Sequence, residues 1–463
     1  MQALLAGLTW RRSSLVLIDH LLILVGIFAA IAIRLGLGPR ELFEWWLIWR
    51  AALTAGVLQI MLHYCDLYDL RTLRDRRDLM VGLLRALGAT SVFLAIVHYW
   101  VPVLVIGRGV LVLSTVFVIV LVAGWRLAFE WLSTRVGPAE RLLIVGTSLA
   151  AVDLARELFE RRTELGVELV GFVDTDPSRI GSPVINPGVI GSVDQIPAIV
   201  RERSVDRVVV SLADARGKLS MDKLLEIKLK DGVRFDHLPS VYEEYTGKIA
   251  VENLRPSWLI FSEGFRKTRL STAIKRVMDV VLAVVGLVVL APVLGLVALA
   301  IRLTSPGRAL YHQERVGLNG RTFTVHKFRS MRQDAEAGTG AVWSKAGDPR
   351  VTGVGRFLRR TRLDELPQLW NVLRGEMSFV GPRPERPPFV SALTEQIPFY
   401  GQRHVVRPGL SGWAQVRHSY GSTIEDSLQK LQYDLFYIKH MSVAFDFFIL
   451  LETLKTVVVR RGS

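Results

Sequence analysis

Two adjacent carboxylates, Asp364 and Glu365, sit inside a run of arginines in the segment LDELPQLWNVLRGEMSFVGPRPER, residues 363–386. Arg356, Arg359, Arg360 and Arg362 precede the pair, and Arg374, Arg383 and Arg386 follow it. A carboxylate can act as a nucleophile or a metal ligand, and arginines steady phosphate oxygens, so the mixture suits phosphoryl transfer. Charge pattern alone is explained as well by a solvated, salt-bridged helix end. The elements that would have to position the pair separate the two readings.

The chain has 463 residues, 50% of them hydrophobic and 22% charged, with a formal net charge of +15. Mean hydropathy is +0.32 and the pI is about 10.1. That hydropathy beside so many charges requires the apolar residues to be segregated in blocks. A basic chain of this length holds two or three domains and suits nucleic acid, an anionic membrane surface or phosphorylated substrates. The membrane blocks favour the last two, and nucleic acid is not expected as a partner. Cys65 is the only cysteine, which excludes an intrachain disulfide and a cysteine-rich metal site.

Four stretches, residues 15–35, 42–64, 79–101 and 110–132, have the length and apolarity to cross a bilayer. Arg11 and Arg12 precede the first, but no small-residue cleavage site follows before Arg34, so it reads as an uncleaved span. The loop DLYDLRTLRDRRDL between the second and third carries Arg71, Arg74, Arg76 and Arg77, whereas the loop between the third and fourth offers only Arg108. Arginine asymmetry of this kind puts both ends of the bundle in the cytoplasm.

A fifth block, residues 281–301, contains no charge and has Pro292 at its centre. It is long enough to span, but spanning would carry Asp364 and Glu365 across the membrane. Proline removes a backbone hydrogen bond and kinks a helix. A re-entrant helix over residues 276–302 that enters and leaves on the cytoplasmic side reconciles both facts, with Asp279 anchoring its entry end. A plain fifth span is the alternative.

Between the bundle and this block the pattern becomes soluble α/β. RLLIVGTS, VELVGFVD and DRVVVSLAD read as strands, and LAAVDLARELFERR and IPAIVRER as helices, which indicates a parallel, Rossmann-like sheet. Its first turn keeps Gly146 of a dinucleotide fingerprint but has Ser148 and Ala151 at the other two glycine positions, so close pyrophosphate approach is not expected. Asp174 could touch a ribose hydroxyl or simply cap a strand end. A regulatory or structural domain is the better reading.

After a linker rich in interfacial aromatics, Asn319-Gly320 between alternating runs signals a tight hairpin whose second arm delivers Lys327 and Arg329. RPGLSGWAQV, residues 407–416, reads as a shaped loop rather than a helix. The last thirty-odd residues read as helices with one apolar face, placed either along the membrane surface or on the domain core.

These residues resemble the bacterial sugar transferase family, the monotopic polyprenyl-phosphate hexose-1-phosphate transferases. The resemblance runs through KRVMD at 275–279, the Pro292-broken segment, TSPG at 304–307, QERVG at 313–317, KFRSM at 327–331, LDELPQLWNVL, the VGPRPE block, RPGLSGWAQV and the Tyr433-Asp434 pair. With the bundle and the middle domain, the chain resembles the family's long form of the exopolysaccharide type. The resemblance implies a membrane protein of four parts. These are a four-helix transmembrane bundle (1–137), a Rossmann-like, CoA-binding-like α/β cytoplasmic domain (138–247), an interfacial linker (248–272) and an α-rich catalytic domain with the re-entrant helix (273–463).

It also implies transfer of a hexose 1-phosphate from a UDP-sugar to undecaprenyl phosphate, with Mg²⁺, at the cytoplasmic face of the bacterial inner membrane. In that reaction Asp364 is the nucleophile that carries the phosphosugar, and Glu365 binds Mg²⁺ or assists proton movement. Both carboxylates are candidate metal ligands. Arg383, Arg407, Lys327 and Arg329 are candidate phosphate binders. A homodimer through the bundle or the middle domain is compatible with the sequence. Two other classes stay open: a non-catalytic membrane scaffold, and a nucleotide-sugar-modifying enzyme. None of the ten tyrosines has a lysine four residues later, which disfavours the latter.

Overall fold

The computed structural model describes residues 10–42, 44–65, 67–68, 76–104, 107–135, 140–211, 221–230, 232–251, 262, 264–333, 335, 348–418, 421 and 423–458. Arg71, Arg74 and most of the aromatic linker lie outside the described residues. The chain divides into two compact units, residues 7–238 and residues 239–463.

The first unit opens with four apolar helices, α1 (Trp10–Leu35), α2 (Trp45–Tyr64), α3 (Arg76–Trp100) and α4 (Arg108–Arg135). Each contains a stretch long and apolar enough to cross a membrane: Ser13–Leu35, Trp45–Tyr64, Leu79–Trp100 and Gly109–Phe129. Leu15, Ile23, Ile31, Leu47, Leu58, Leu83, Val118 and Val122 fill the space between them, while Leu17, Val25, Ile33, Val92, Val112 and Val120 face outward. An apolar outer surface of this kind needs lipid around it. Inside the bundle Arg126 and Asp19 pair at 2.5 Å with both side chains fully buried. The Arg126 guanidinium also donates to the Leu67 carbonyl and lies over the Tyr68 ring.

The rest of this unit is a parallel five-stranded sheet. Its elements are β1 (Glu140–Val145), α5 (Leu149–Glu160), β2 (Val167–Asp174), β3 (Val189–Ser192), α6 (Ile196–Glu202), β4 (Arg207–Val210), α7 (Met221–Lys230) and β5 (Arg234–His237). The spatial order β3-β2-β1-β4-β5 is that of a doubly wound sheet. The alternating pattern reads β1, β2, β4, α5 and α6 directly; β3 (VIGS) and β5 (RFDH) lack the run of β-branched residues that marks β4 (RVVV) and do not stand out.

At the first turn Gly146 takes φ +98°, and Ser148 caps α5 by accepting from the Ala151 amide at 3.4 Å. Asp174 accepts from Thr147 Oγ1 (2.8 Å), the Asp176 amide (3.0 Å) and Arg179 Nη1 (3.3 Å). Protein groups thus occupy the carboxylate that a ribose would need, which is the strand-end cap.

The second unit begins at α8 (Leu238–Thr246) and is dominated by α9 (Arg269–Thr304), a 36-residue helix with Pro292 inside it. The remaining elements are β6 (Leu310–Val316), β7 (Thr322–Phe328), α10 (Gly353–Thr361), a 3₁₀ turn (Leu363–Gln368), α11 (Leu369–Arg374), β8 (Ser378–Val380), α12 (Pro387–Gln396), β9 (Gly409–Ser411), α13 (Trp413–Arg417), α14 (Ile424–His440) and α15 (Val443–Val458). The β6–β7 hairpin turns at Asn319 (φ +54°) and Gly320 (φ +76°), the positive angles that an Asn-Gly pair supplies.

One sequence expectation needs revising, and one open alternative is decided for α14. RPGLSGWAQV is not only a loop: it holds β9, which pairs in parallel with β8, and the one-turn helix α13. Gly381, Gly409 and Gly412 have no room for a side chain, and this lets the two backbones close on each other. Of the C-terminal helices, α14 belongs to the core. Leu431, Leu435, Phe436 and Ile438 are buried around Trp413, whose indole donates to the Gly247 carbonyl at 3.0 Å.

α9 packs on this unit near its two ends, through Lys275, Asp279 and Ala283 on one side of Pro292 and through Val297 and Ile301 on the other, and no residue between Ala283 and Val297 is buried. The opposite face, with Leu270, Val277, Val281, Val285, Val288, Leu296, Leu299 and Leu303, is exposed and apolar. Polar contacts tie the packed face down. Lys275 Nζ meets Asp446 at 2.5 Å and the Val380 carbonyl at 3.1 Å, and Arg276 donates to the carbonyls of Val372 (2.6 Å) and Leu373 (2.8 Å). Asp279 accepts from Ser378 Oγ and the Phe379 amide, both at 3.0 Å.

The buried pair in the bundle gives a direct stability test. Asp19→Leu leaves Arg126 uncompensated and should cost about 3–5 kcal/mol, whereas the double substitution Asp19→Leu/Arg126→Met should recover most of that loss. Thermal unfolding in detergent measures both; a single variant as stable as the parent would contradict the pairing.

Candidate active site

The chain leaves α10 through Arg362, held at φ +58°, and enters the 3₁₀ turn Leu363–Gln368, LDELPQ. Pro367 has no amide hydrogen to donate. In this turn Asp364 and Gln368 are buried, and Glu365 is nearly so. Three cations converge on Glu365. Arg383 Nη2 reaches Oε1 at 2.7 Å, Lys327 Nζ reaches the same oxygen at 3.1 Å, and Arg362 Nη1 lies 3.9 Å from Oε2. Burial opposes the charge of Glu365, but Arg383 and Lys327 outweigh it and hold the carboxyl well below its ordinary range.

Asp364 is in the opposite situation. Among the described residues no hydrogen bond reaches its carboxylate. Burial and the neighbouring Glu365 charge push its pKa up, against the pull of Lys327, Arg359 and Arg362. One dipeptide therefore holds a neutralised carboxylate and a second that is unengaged and more basic than ordinary aspartate.

Several elements fix this arrangement. Asn371 on α11, fully buried, accepts from the His326 amide at 3.1 Å and donates to the Thr324 carbonyl at 2.7 Å, which locks β7 against the 3₁₀ turn and brings Lys327 to Glu365. Arg383 stands on the loop after β8. Arg403 fixes that loop by donating to the Arg383 carbonyl at 3.1 Å while bonding Asp434 at 2.7 Å and the Tyr400 hydroxyl at 2.6 Å. Arg315 on β6 joins the same loop through the Pro384 carbonyl at 3.0 Å and Glu385 at 3.5 Å. Beside Glu365 is a small cleft lined by Arg315, Lys327, Gln368 and Arg383, with Val325, Pro384 and Gly409 completing the wall.

The expected phosphate binders divide. Lys327 and Arg383 meet at Glu365 and line the cleft. Arg329 instead bonds the carbonyls of Pro306 (2.6 Å) and Ser305 (2.9 Å), closing the C-terminal end of α9. Arg407 donates Nε to the Gly375 carbonyl at 2.9 Å, at the end of α11. Pro292 lies on the exposed part of α9. Sequence reasoning did not single out Arg315 or Gln368. Their signals were present: the arginine of QERVG, and a glutamine three residues after Glu365, the repeat of a 3₁₀ turn.

Among the described residues no group of three or more His, Cys, Asp or Glu side chains gathers for a metal. Glu365 contacts the cleft residues Lys327 and Arg383 and, with Arg362, already meets three cations, and Asp364 is its neighbour in the chain. Such a donor set suits a magnesium ion held largely by substrate phosphates, not an all-protein cage.

A family model described as bacterial sugar transferase matches residues 270–460, and one described as CoA-binding domain matches residues 63–236. A UDP-N-acetylgalactosamine-undecaprenyl-phosphate N-acetylgalactosaminephosphotransferase of Aeromonas hydrophila is 40% identical over 227 residues, 49% of this chain and 53% of the relative. An undecaprenyl-phosphate glucose phosphotransferase of Komagataeibacter xylinus is 35% identical over 333 residues, 70% of this chain and 60% of the relative. The UDP-glucose:undecaprenyl-phosphate glucose-1-phosphate transferase of Escherichia coli K12 is 35% identical over 331 residues, 69% of this chain and 68% of the relative. The chain thus spans 53% and 60% of the length of the first two relatives and about two thirds of the third. With the 3₁₀-turn carboxylates and the long apolar helix in one unit, these matches establish that the chain belongs to the bacterial sugar transferase family.

Proposed function

We propose that this protein transfers a hexose 1-phosphate from a UDP-sugar to undecaprenyl phosphate as the first membrane step of exopolysaccharide or O-antigen synthesis, through a covalent intermediate on Asp364. The observation that carries the reading is the unequal pair: Glu365 is neutralised by Lys327, Arg383 and Arg362, and Asp364 is left without a hydrogen bond. A nucleophile must be available and basic. A carboxylate that organises cations must be engaged and ionised.

An Asp364 oxygen attacks the β-phosphorus of the UDP-sugar. The bond from that phosphorus to the bridging oxygen breaks, and UMP departs with the bond's electrons. The sugar phosphate is then an acyl phosphate on Asp364. An oxygen of undecaprenyl phosphate attacks the same phosphorus, the Asp364 carboxylate leaves, and the lipid diphosphate sugar is formed. Splitting one displacement into two lets a single anionic site meet each substrate in turn. Lys327 and Arg383 lower the repulsion between an anionic nucleophile and an anionic phosphoryl group, and Glu365 fixes where those cations stand. Asp364 and Glu365 are the carboxylates that, together with the donor's phosphates, would hold a magnesium ion, which would supply further charge neutralisation there.

The membrane reading follows from α9. Both ends of the helix pack on the same unit, Lys275 to Ala283 before Pro292 and Val297 with Ile301 after it, while the stretch between them is apolar and has no buried residue. This supports a helix that enters and leaves the bilayer on one side, with Pro292 as its bend. Arginine asymmetry in the bundle makes that side cytoplasmic, where UDP-sugars are found. The active site then stands at headgroup level, within reach of a lipid phosphate. The sugar is to be decided between glucose and N-acetylgalactosamine first, since relatives named for each are similar to this chain.

Purified full-length protein, undecaprenyl phosphate and a panel of UDP-hexoses test the reaction by UMP release. Asp364→Asn should lose at least about 10³-fold in rate; release at the parent rate from that variant would refute the mechanism. The reaction should also fail on the acid side. Asp364 attacks only when ionised and its pKa is raised, so kcat/KM should fall as pH drops through a value above the ~3.9 of free aspartate. Arg359→Gln removes a cation that lowers this pKa, so the acid limb should move to higher pH. A limb that stays fixed or moves down would contradict the assignment.

A further inference from the structure

The transfer reaction as described makes no use of Gln368. Its side chain is 4% exposed, it lines the cleft beside Glu365, and its Nε2 has no hydrogen-bond partner in the protein. A buried donor left unpaired is destabilising, and such groups in a folded protein call for a ligand or a functional reason. The turn explains its direction. With three residues per 3₁₀ turn, Glu365 and Gln368 project from the same face, so the amide stands beside the carboxylate that gathers Lys327 and Arg383. The other polar groups of the cleft are the cations Arg315, Lys327 and Arg383. Each already meets a carboxylate, Glu385 for Arg315 and Glu365 for the other two.

We propose that the Gln368 amide is a binding group that donates a hydrogen bond to an anionic phosphoryl oxygen seated in the cleft between Lys327 and Arg383. Cations and an amide side chain that line one small space select an acceptor-rich anion. An uncharged amide adds a directed bond without upsetting the balance between Glu365 and its three cations, which a fourth cation would do. The inference rests on the transfer reading only for the ligand's identity. The phosphoryl group belongs either to the nucleotide sugar or to the lipid phosphate, and the two share this chemistry.

The test uses full-length protein in detergent with magnesium. UDP is titrated calorimetrically into the parent, Gln368→Met and Gln368→Glu, and KM for undecaprenyl phosphate is measured at saturating UDP-hexose. Gln368→Met keeps the side-chain length and removes the donor, so affinity for the phosphoryl-bearing partner should fall about tenfold or more. Gln368→Glu should stay folded, since its carboxylate faces three cations, yet it should abolish binding by competing for Lys327 and Arg383. A loss in UDP affinity assigns the oxygen to the nucleotide sugar. A tenfold rise in the lipid KM with UDP affinity unchanged assigns it to the lipid.

UDP affinity and lipid KM within twofold of the parent in both variants would overturn the proposal. So would a Gln368→Met protein that melts well below the parent but binds UDP normally, because the amide would then be structural. If the parent turns over no UDP-hexose, the transfer reading fails, and UDP affinity alone decides the role of Gln368.

Discussion

The second unit is organised around one electrostatic constraint: Glu365 is a buried carboxylate and must be neutralised where it stands. Lys327, Arg383 and Arg362 meet that need from a strand, a loop and the turn itself. Each is in turn held by other groups. Asn371 sets β7, Arg403 with Asp434 sets the loop of Arg383, and the positive φ of Arg362 sets the start of the turn. Removing one partner of a buried charge cluster costs far more than the cluster contributes as a whole, so these elements are bound to one geometry. The neighbouring Asp364 is excluded from the cluster by its position on the turn and stays available.

The same logic connects the site to the membrane. Lys275, Arg276 and Asp279 turn the polar face of α9 toward β8, α11 and α15, the elements on either side of the reactive turn and the loop of Arg383. A long apolar helix could otherwise rotate freely in lipid, because its hydrophobic surface has no preferred orientation there. Three polar anchors on one face give it an orientation. They place the exposed valines and leucines opposite the domain.

Much of this is legible in the sequence, and the limits have physical reasons. Apolar runs of about twenty residues, each with only one or two charges, identify the bundle helices, Asn319-Gly320 identifies the hairpin, and strand–helix alternation identifies the doubly wound sheet. The Asp364-Glu365 pair stands out by its charge. Which of the two carboxylates is engaged does not stand out, because that depends on Lys327 and Arg383, 38 and 18 residues away in the chain. Lys327 and Arg329 look equivalent at alternate positions, but Arg329 falls just beyond the end of β7 and turns to the carbonyls closing α9. The tail helices read equally as lying on the membrane surface or on the domain core, because the rings from α14 and α15 that surround Trp413 are brought to it only by the fold.

The central claim is that Asp364 carries the phosphosugar. Intact-protein and peptide mass spectrometry of the full-length chain, incubated with its UDP-hexose and magnesium but no lipid acceptor, addresses it directly. The account predicts one hexose-phosphate adduct per chain on the peptide containing Asp364, accompanied by a single equivalent of UMP and discharged when undecaprenyl phosphate is added. An unmodified Asp364 peptide in a preparation that nevertheless turns over rapidly with acceptor present would contradict it.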